Sequence, residues 1–206
     1  MRIVCISDTH HRHDQVVVPE GDMLLCGGDL CGRGTIADVR DFDKWLGKLP
    51  HRHKVVIAGN HDWCFEREPG QARACITQAH YLQDGGVTLG GLRIYGSPWQ
   101  PEFFDWAFNL PRGSRLREKW ALIPDDTDIL ITHGPPHGIL DRNDRGQAVG
   151  CEELAERVAA VAPRLHLFGH IHEAYGEMTV GPTIYVNASC CDLQYRPCQP
   201  PIVIEL

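Results

Sequence analysis

The chain has 206 residues, 43% of them apolar and 23% charged, which excludes a disordered or fibrous protein and fits one domain with a sizeable core. No apolar run approaches the roughly 20 residues that span a bilayer. Met1 to Asp8 leaves no room for an export signal, so the expectation is a cytoplasmic protein with no membrane partner. The formal charge of −7 argues against a long nucleic acid as partner, but not against a small phosphorylated one, because bound cations supply positive charge locally.

Arg2–Ser7 reads as a buried strand and Asp22–Cys26 as a second. Between Thr35 and Leu49 the apolar residues Ile36, Val39, Phe42, Trp45, Leu46 and Leu49 recur three or four apart, which predicts an amphipathic helix with Thr35 as its N-cap. Lys54–Ala58, Asp128–Thr132 and Leu165–Phe168 are further buried strands. Cys151–Ala162 is helical in period and stops before Pro163. Val87–Tyr95, Thr183–Asn187 and Ile202–Leu206 read as strands set antiparallel, because turn residues separate them. Pro98–Arg117 is rich in aromatics and proline, and periodicity assigns it nothing. The pattern is α/β throughout, with extra strands towards the C-terminus. Nine cysteines without a C-x-x-C pair are expected to be reduced thiols, and Cys5 and Cys26 fall inside apolar strands as small hydrophobes.

The polar residues concentrate at the strand ends. The first strand runs into Asp8-Thr9-His10, the second into Gly28-Asp29 and the third into Gly59-Asn60-His61-Asp62. Asp128–Thr132 ends in His133, and Leu165–Phe168 ends in Gly169-His170-Ile171-His172. Ligands of open α/β sheets bind beyond the carboxyl ends of the strands, so these tails converge on one place. Carboxylate, amide and imidazole donors without thiolate suit two divalent transition-metal ions, with manganese favoured and iron or zinc admissible. Two cations clamp the attacking and leaving oxygens of a phosphoester and lower the pKa of a bound water.

These motifs, in this order, resemble the calcineurin-like metallophosphoesterase superfamily, whose signature runs D-x-H, G-D, G-N-H-[DE], a lone His and G-H-x-H. The segments PHRHKVVIAGNHDWCF, YGSPWQPEFFDWAFNLPRG, THGPPHG and HLFGHIHEAYG further resemble the small fetal-brain-type metallophosphodiesterases and their bacterial relatives. The resemblance implies a four-layer α/β/β/α sandwich of two mixed sheets and a phosphodiesterase acting on small diesters, with nucleotides as plausible substrates. It places one metal on Asp8, His10, Asp29 and His172 and the other on Asp29, Asn60, His133 and His170. A hydroxide between them would attack phosphorus, and His61 would serve the leaving group. Some animal relatives carry glycine at the position of His170; this chain keeps the histidine.

One departure separates the chain from the sister phosphoprotein phosphatases, whose G-D continues x-x-D-R-G. Here Asp29 is followed by Leu30-Cys31-Gly32-Arg33-Gly34, so Gly32 replaces the carboxylate that would orient the catalytic histidine. Asp62 is adjacent to His61 but need not point at it. Arg33 is a candidate phosphate contact and His137 a candidate pocket residue. Trp99, Phe104, Trp106 and Phe108 suit either stacking on a base or filling the core beneath a long loop. Asn187-Ala188-Ser189 ends a strand on the same side, where turn chemistry explains it equally well. A phosphomonoesterase, or a nucleotide-binding scaffold with little catalysis, are the rival functions.

Overall fold

Alternating strands and helices require the chain to bury both faces of each sheet, and the computed structural model, which describes residues 1–206, does so in layers. In chain order the elements are β1 (Arg2–Ile6), β2 (Met23–Cys26), α1 (Ile36–Leu46), β3 (His53–Val56), α2 (Trp63–Arg67), α3 (Pro69–Cys75) and β4 (His80–Tyr81). There follow β5 (Gly85–Leu89), β6 (Leu92–Ser97), β7 (Gln100–Pro101), β8 (Asn109–Leu110), α4 (Ser114–Trp120) and β9 (Ile129–Thr132). The chain closes with α5 (Glu152–Val161), β10 (Leu165–Phe168), β11 (Gly176–Val180), β12 (Thr183–Asn187) and β13 (Ile202–Glu205).

One sheet has the strand order β13-β1-β2-β3-β4 and the other β11-β12-β10-β9-β6-β5. Side chains alternate across each strand, and the alternation sorts them into three apolar layers. Ile3, Cys5, Met23, Leu25 and Val55 meet Ile129, Ile131, Leu165, Leu167 and Val186 between the sheets. Val4, Ile6, Leu24 and Val56 face Phe42, Leu46 and Phe65 of α1 and α2. On the far side, Leu130, Phe168 and Tyr185 face Leu116, Trp120, Leu154 and Val158 of α4 and α5. The result is the expected four-layer α/β/β/α sandwich of two mixed sheets.

Helix α1 starts where Thr35 accepts a hydrogen bond from the Asp38 N–H at 3.1 Å, while Asp38 accepts one from the Thr35 N–H: a reciprocal cap. Two expectations about strands are corrected. Val87–Tyr95 is not one strand but the hairpin β5–β6, because Gly90 and Gly91 take φ of 56° and 81° and build the mirror-image turn that twisted strands prefer. The antiparallel assignment holds for β13 against β1, for β6 against β5 and for β12 against β11, but β6 also runs parallel to β9 and β12 parallel to β10. The turn residues after β10 lead into β11, which takes the hairpin with β12 and so returns β12 in the direction of β10.

Parallel pairing aligns the carboxyl ends of β1, β2 and β3 along one edge, and those of β6, β9, β10 and β12 along the other sheet's edge. A bridge between Ser7 and Ser189 joins the two edges just past β1 and β12. The tails of both sheets are thereby brought to one place.

Candidate metal centre

Each tail leaves its strand by a sharp turn, and the turn aims the donor. Asp8, His10, Asp29 and His170 all have positive φ, between 43° and 68°, a region non-glycine residues enter at a cost. Main-chain bonds hold these turns: Asp8 N–H donates to Gly28 O at 3.0 Å, and His10 N–H to Asp29 O at 3.0 Å. Asp8, Asp29, Asn60, His133 and His172 are buried at the meeting of the sheets.

The two carboxylates organise the donors into two connected groups. Asp8 Oδ1 lies 3.3 Å from His172 Nε2 and 3.9 Å from His10 Nε2. Asp29 Oδ2 lies 3.7 Å from His10 Nε2 on one side and 3.5 Å from His133 Nε2 on the other. Asn60 Oδ1 is 2.9 Å from the same His133 nitrogen. The His170 ring stands 5.0 Å from that of His133, and the His170 main-chain N–H donates to Asp8. All seven residues expected as metal ligands are therefore assembled, with Asp29 between the two groups.

The donor set fits divalent cations. His133 Nδ1–H donates to Gly27 O at 2.9 Å and His172 Nδ1–H to Asp192 O at 3.0 Å, which fixes the tautomers and turns both Nε2 atoms into the centre. His10 and His172 oppose Nε2 to Nε2 at 3.1 Å, a separation that needs a shared proton or a cation, and His10 Nδ1 has no partner. No lysine or arginine forms an ion pair with Asp8 or Asp29.

Proton affinities record the same excess of negative charge. Burial opposes charge on His133, but Asp29 beside it raises the ring to about 9. Burial opposes charge on His172 as well, and the hydrogen bond to Asp8 overcomes it to give about 9. Burial dominates at His10 and His170, lowering them to about 4 and about 3. Burial also works against ionised Asp8 and Asp29, yet the surrounding imidazoles hold both well below the usual carboxylate range.

His61 stands beside this centre, its N–H donating to Asp29 Oδ1 at 2.8 Å. Its ring stacks on Trp106 at 4.4 Å and 26° and meets His10 edge-on at 4.6 Å. Asp62 points elsewhere: its buried carboxylate accepts the N–H groups of Gly59, Cys31 and Leu30 at 2.8, 2.9 and 3.2 Å, tying the Asp29 turn to the Asn60 turn. Burial, then the charge of Asp29, pushes Asp62 up to about 6.

A cavity of about 600 Å³ opens above the donors. Arg33 is exposed and does not line it, and His137 stands apart with its Nδ1 3.7 Å from Asp141. Of the four aromatics, Phe104 and Trp106 line the cavity, whereas Trp99 donates to Asp84 and Phe108 is fully buried. Ser189 finds a specific place, its hydroxyl 3.0 Å from Asp8 Oδ2.

Sequence reasoning missed Tyr195, Phe103 and Arg112, which also line the cavity. Tyr195 has φ of 57°, a strained conformation for a bulky residue, and its ring lies 4.6 Å from His10 and 5.7 Å from His61. Its loop is held by Asp192, which accepts the N–H groups of Gln194 and Arg196 at 2.9 and 3.0 Å. An aspartate two residues before the Gln194 N–H is a turn signal visible in sequence, but its direction is not.

The model of the calcineurin-like phosphoesterase family matches residues 1–174. The human protein "Metallophosphoesterase domain-containing protein 1" is 50% identical over 230 residues, covering 100% of this chain and 71% of its own length. The Caenorhabditis elegans "UPF0046 protein T07D4.2" is 39% identical over 237 residues, with 100% of this chain and 60% of that protein covered. A solved crystal structure superposes with a TM-score of 0.71 at 17% identity, over 99% of this chain and 98% of that one, which supports the fold. The chain belongs to the calcineurin-like phosphoesterase family.

Proposed function

We propose that the chain hydrolyses small phosphodiesters, nucleotides among them, at a dinuclear centre. Asp8, His10, Asp29 and His172 would hold one ion; Asp29, Asn60, His133 and His170 would hold the other. The observation that carries the reading is Asp29, one carboxylate oxygen of which stands 3.7 Å from His10 and 3.5 Å from His133 and so is within reach of both donor groups. Divalent cations bound there offset the charge of the phosphoryl oxygens and activate water as the nucleophile. The other side chains position and protonate. Trp106 and His10 hold the His61 ring over the cavity, where it donates a proton to the departing oxygen.

One feature favours a diester over a monoester. Part of the rim beyond the centre is apolar, with Phe103, Phe104, Leu193 and the ring of Tyr195, and suits an organic group on the second ester bond. The proposal includes manganese as the resident ion. It also includes a cytoplasmic location, which nine free thiols, seven of them buried, suit; no helix is long and apolar enough to cross a membrane.

Manganese-loaded protein assayed on bis(p-nitrophenyl) phosphate and p-nitrophenyl phosphate tests the reading. A kcat/KM at least about tenfold higher for the diester is expected, a difference of about 1.4 kcal/mol in transition-state stabilisation. The reverse ratio replaces the diesterase by a monoesterase, and turnover of neither ester removes the enzymatic reading.

A further inference from the structure

A second set of side chains able to ligate a metal lies outside the centre, where the turn after β1 faces helix α1. His11, His13 and Asp41 each present a donor atom, and the three atoms lie within 4.8 Å of one another. His13 Nε2 is 3.2 Å from Asp41 Oδ2, and His11 Nδ1 is 4.0 Å from Asp38 Oδ1, one helical turn before Asp41. Zinc bonds of about 2.0–2.2 Å at tetrahedral angles set donors about 3.3–3.6 Å apart, so the hydrogen-bonded His13–Asp41 pair at 3.2 Å needs to open by only a few tenths of an ångström to admit an ion.

The set combines a rigid half with an open half. The His13 side chain is 3% exposed, its ring against Phe42 at 5.4 Å and Trp45 at 5.2 Å, which fixes its direction. A cation at Nε2 would take the place of the proton shared with Asp41 and leave the ring proton on Nδ1, which is buried and unpartnered whichever nitrogen carries it. The His11 and Asp41 side chains are 46% and 56% exposed and give an ion a way in. Neither Asp38 nor Asp41 pairs with a lysine or arginine, so the local charge is negative. Two imidazoles and a carboxylate select a zinc-like ion over magnesium or calcium, which prefer all-oxygen shells.

We propose that His11, His13 and Asp41 form a separate binding site for a zinc-like divalent cation, with Asp38 or water completing its shell. Such an ion pins the turn that carries Asp8 and His10 to α1. Its binding is independent of the dinuclear reading, because it uses none of that centre's ligands.

Full-length protein equilibrated with zinc ions alone, desalted and analysed for metal by mass spectrometry tests the site. His11→Ala and Asp41→Asn alter exposed side chains and should each retain one zinc equivalent fewer than wild type, with ester hydrolysis unchanged. Asp29→Ala should keep that equivalent while losing the others. Cobalt substitution gives a second readout: the visible band of the outer site should be absent from His11→Ala and present in Asp29→Ala. Equal zinc content in wild type, His11→Ala and Asp41→Asn overturns the proposal, whatever the catalytic assays give.

Discussion

Asp8, Asp29 and His133 on the floor of the cavity are at most 2% exposed, whereas Phe103, Phe104 and Tyr195 on its rim are 51%, 77% and 43% exposed. The floor is made of strand tails fixed by both sheets, with several donors in strained backbone conformations that only a surrounding fold sustains. The rim comes from the residues around β7–β8 and from the loop after Cys191, each tied down by a few local hydrogen bonds. The difference teaches a division of labour. Chemistry needs donors placed to a fraction of an ångström and sits where the fold is stiffest. Selection of an organic group, on the diesterase reading proposed above, tolerates movement and would sit where the fold is most exposed.

The largest effect should follow from breaking the floor at its shared member. Asp29→Ala removes the oxygen within reach of both His10 and His133 and takes the acceptor from the half-buried His61 N–H. Loss of both ions and a fall in kcat/KM on the order of a thousandfold or more are expected, read by metal analysis and diester kinetics. Full metal content in this variant would contradict the assignment. His61→Ala should instead keep both ions and slow hydrolysis by about 10²- to 10⁴-fold, more for poor leaving groups than for p-nitrophenolate. Equal slowing across leaving groups would deny the proton-donor role.

Packing of the floor can be probed without touching a ligand. A Cβ at Gly169 would stand 1.9 Å from Asp8 Oδ2 and 2.2 Å from Ser7 Oγ. Gly169→Ala should therefore shift Asp8, costing about 1–3 kcal/mol of stability together with metal affinity. An unchanged melting temperature and metal content would show that the floor yields more easily than its burial implies.

This contrast also explains what the sequence makes legible. Asp8, Asp29, Asn60, His133 and His170 each follow a buried strand by one to four residues, so strand pattern and donor identity coincide in one short segment. The helix over Ile36–Leu46 is legible because Thr35 and the apolar spacing agree. Tyr195 carries no such coincidence: it reaches His10 through a positive φ in an irregular loop, and neither hydropathy nor spacing encodes that direction. Trp106 and Trp99 are chemically alike and seven residues apart, yet one stacks on His61 and the other hydrogen-bonds Asp84. Helices α2 and α3 escape because five and seven residues are too short for a 3.6-residue period to register.

The stiffness of the fold beneath the floor has a pH signature. His166, fully buried on β10 with Nε2 2.8 Å from Thr132 Oγ1, is held by burial at a pKa of about 3. The unfolded chain takes up that proton near pH 6.5. Between those values the unfolded state binds more protons, so stability is complete above about pH 6.5 and falls by about 1.4 kcal/mol per pH unit below it. Urea unfolding of metal-loaded wild type and His166→Gln at pH 7, 6 and 5 should show the wild type losing its advantage as the pH drops. Parallel stability curves for the two proteins would remove His166 as the sensitive group.

The rim gives the smallest and most selective effect. Phe104 projects from a residue with φ of 49°, is 77% exposed, and touches only Phe103 among the aromatic rings, at 4.5 Å. Removing the ring opens no core cavity, so Phe104→Ala should stay within about 0.5 kcal/mol of wild-type stability. If the rim holds the organic group equally in ground and transition states, KM for an aryl diester should rise severalfold while kcat holds. A dimethyl ester, which offers the ring little surface, should be indifferent to the change. A fall in kcat with unchanged KM would instead mean that Phe104 acts in the transition state, and the separation between a chemical floor and a selective rim would fail at this residue.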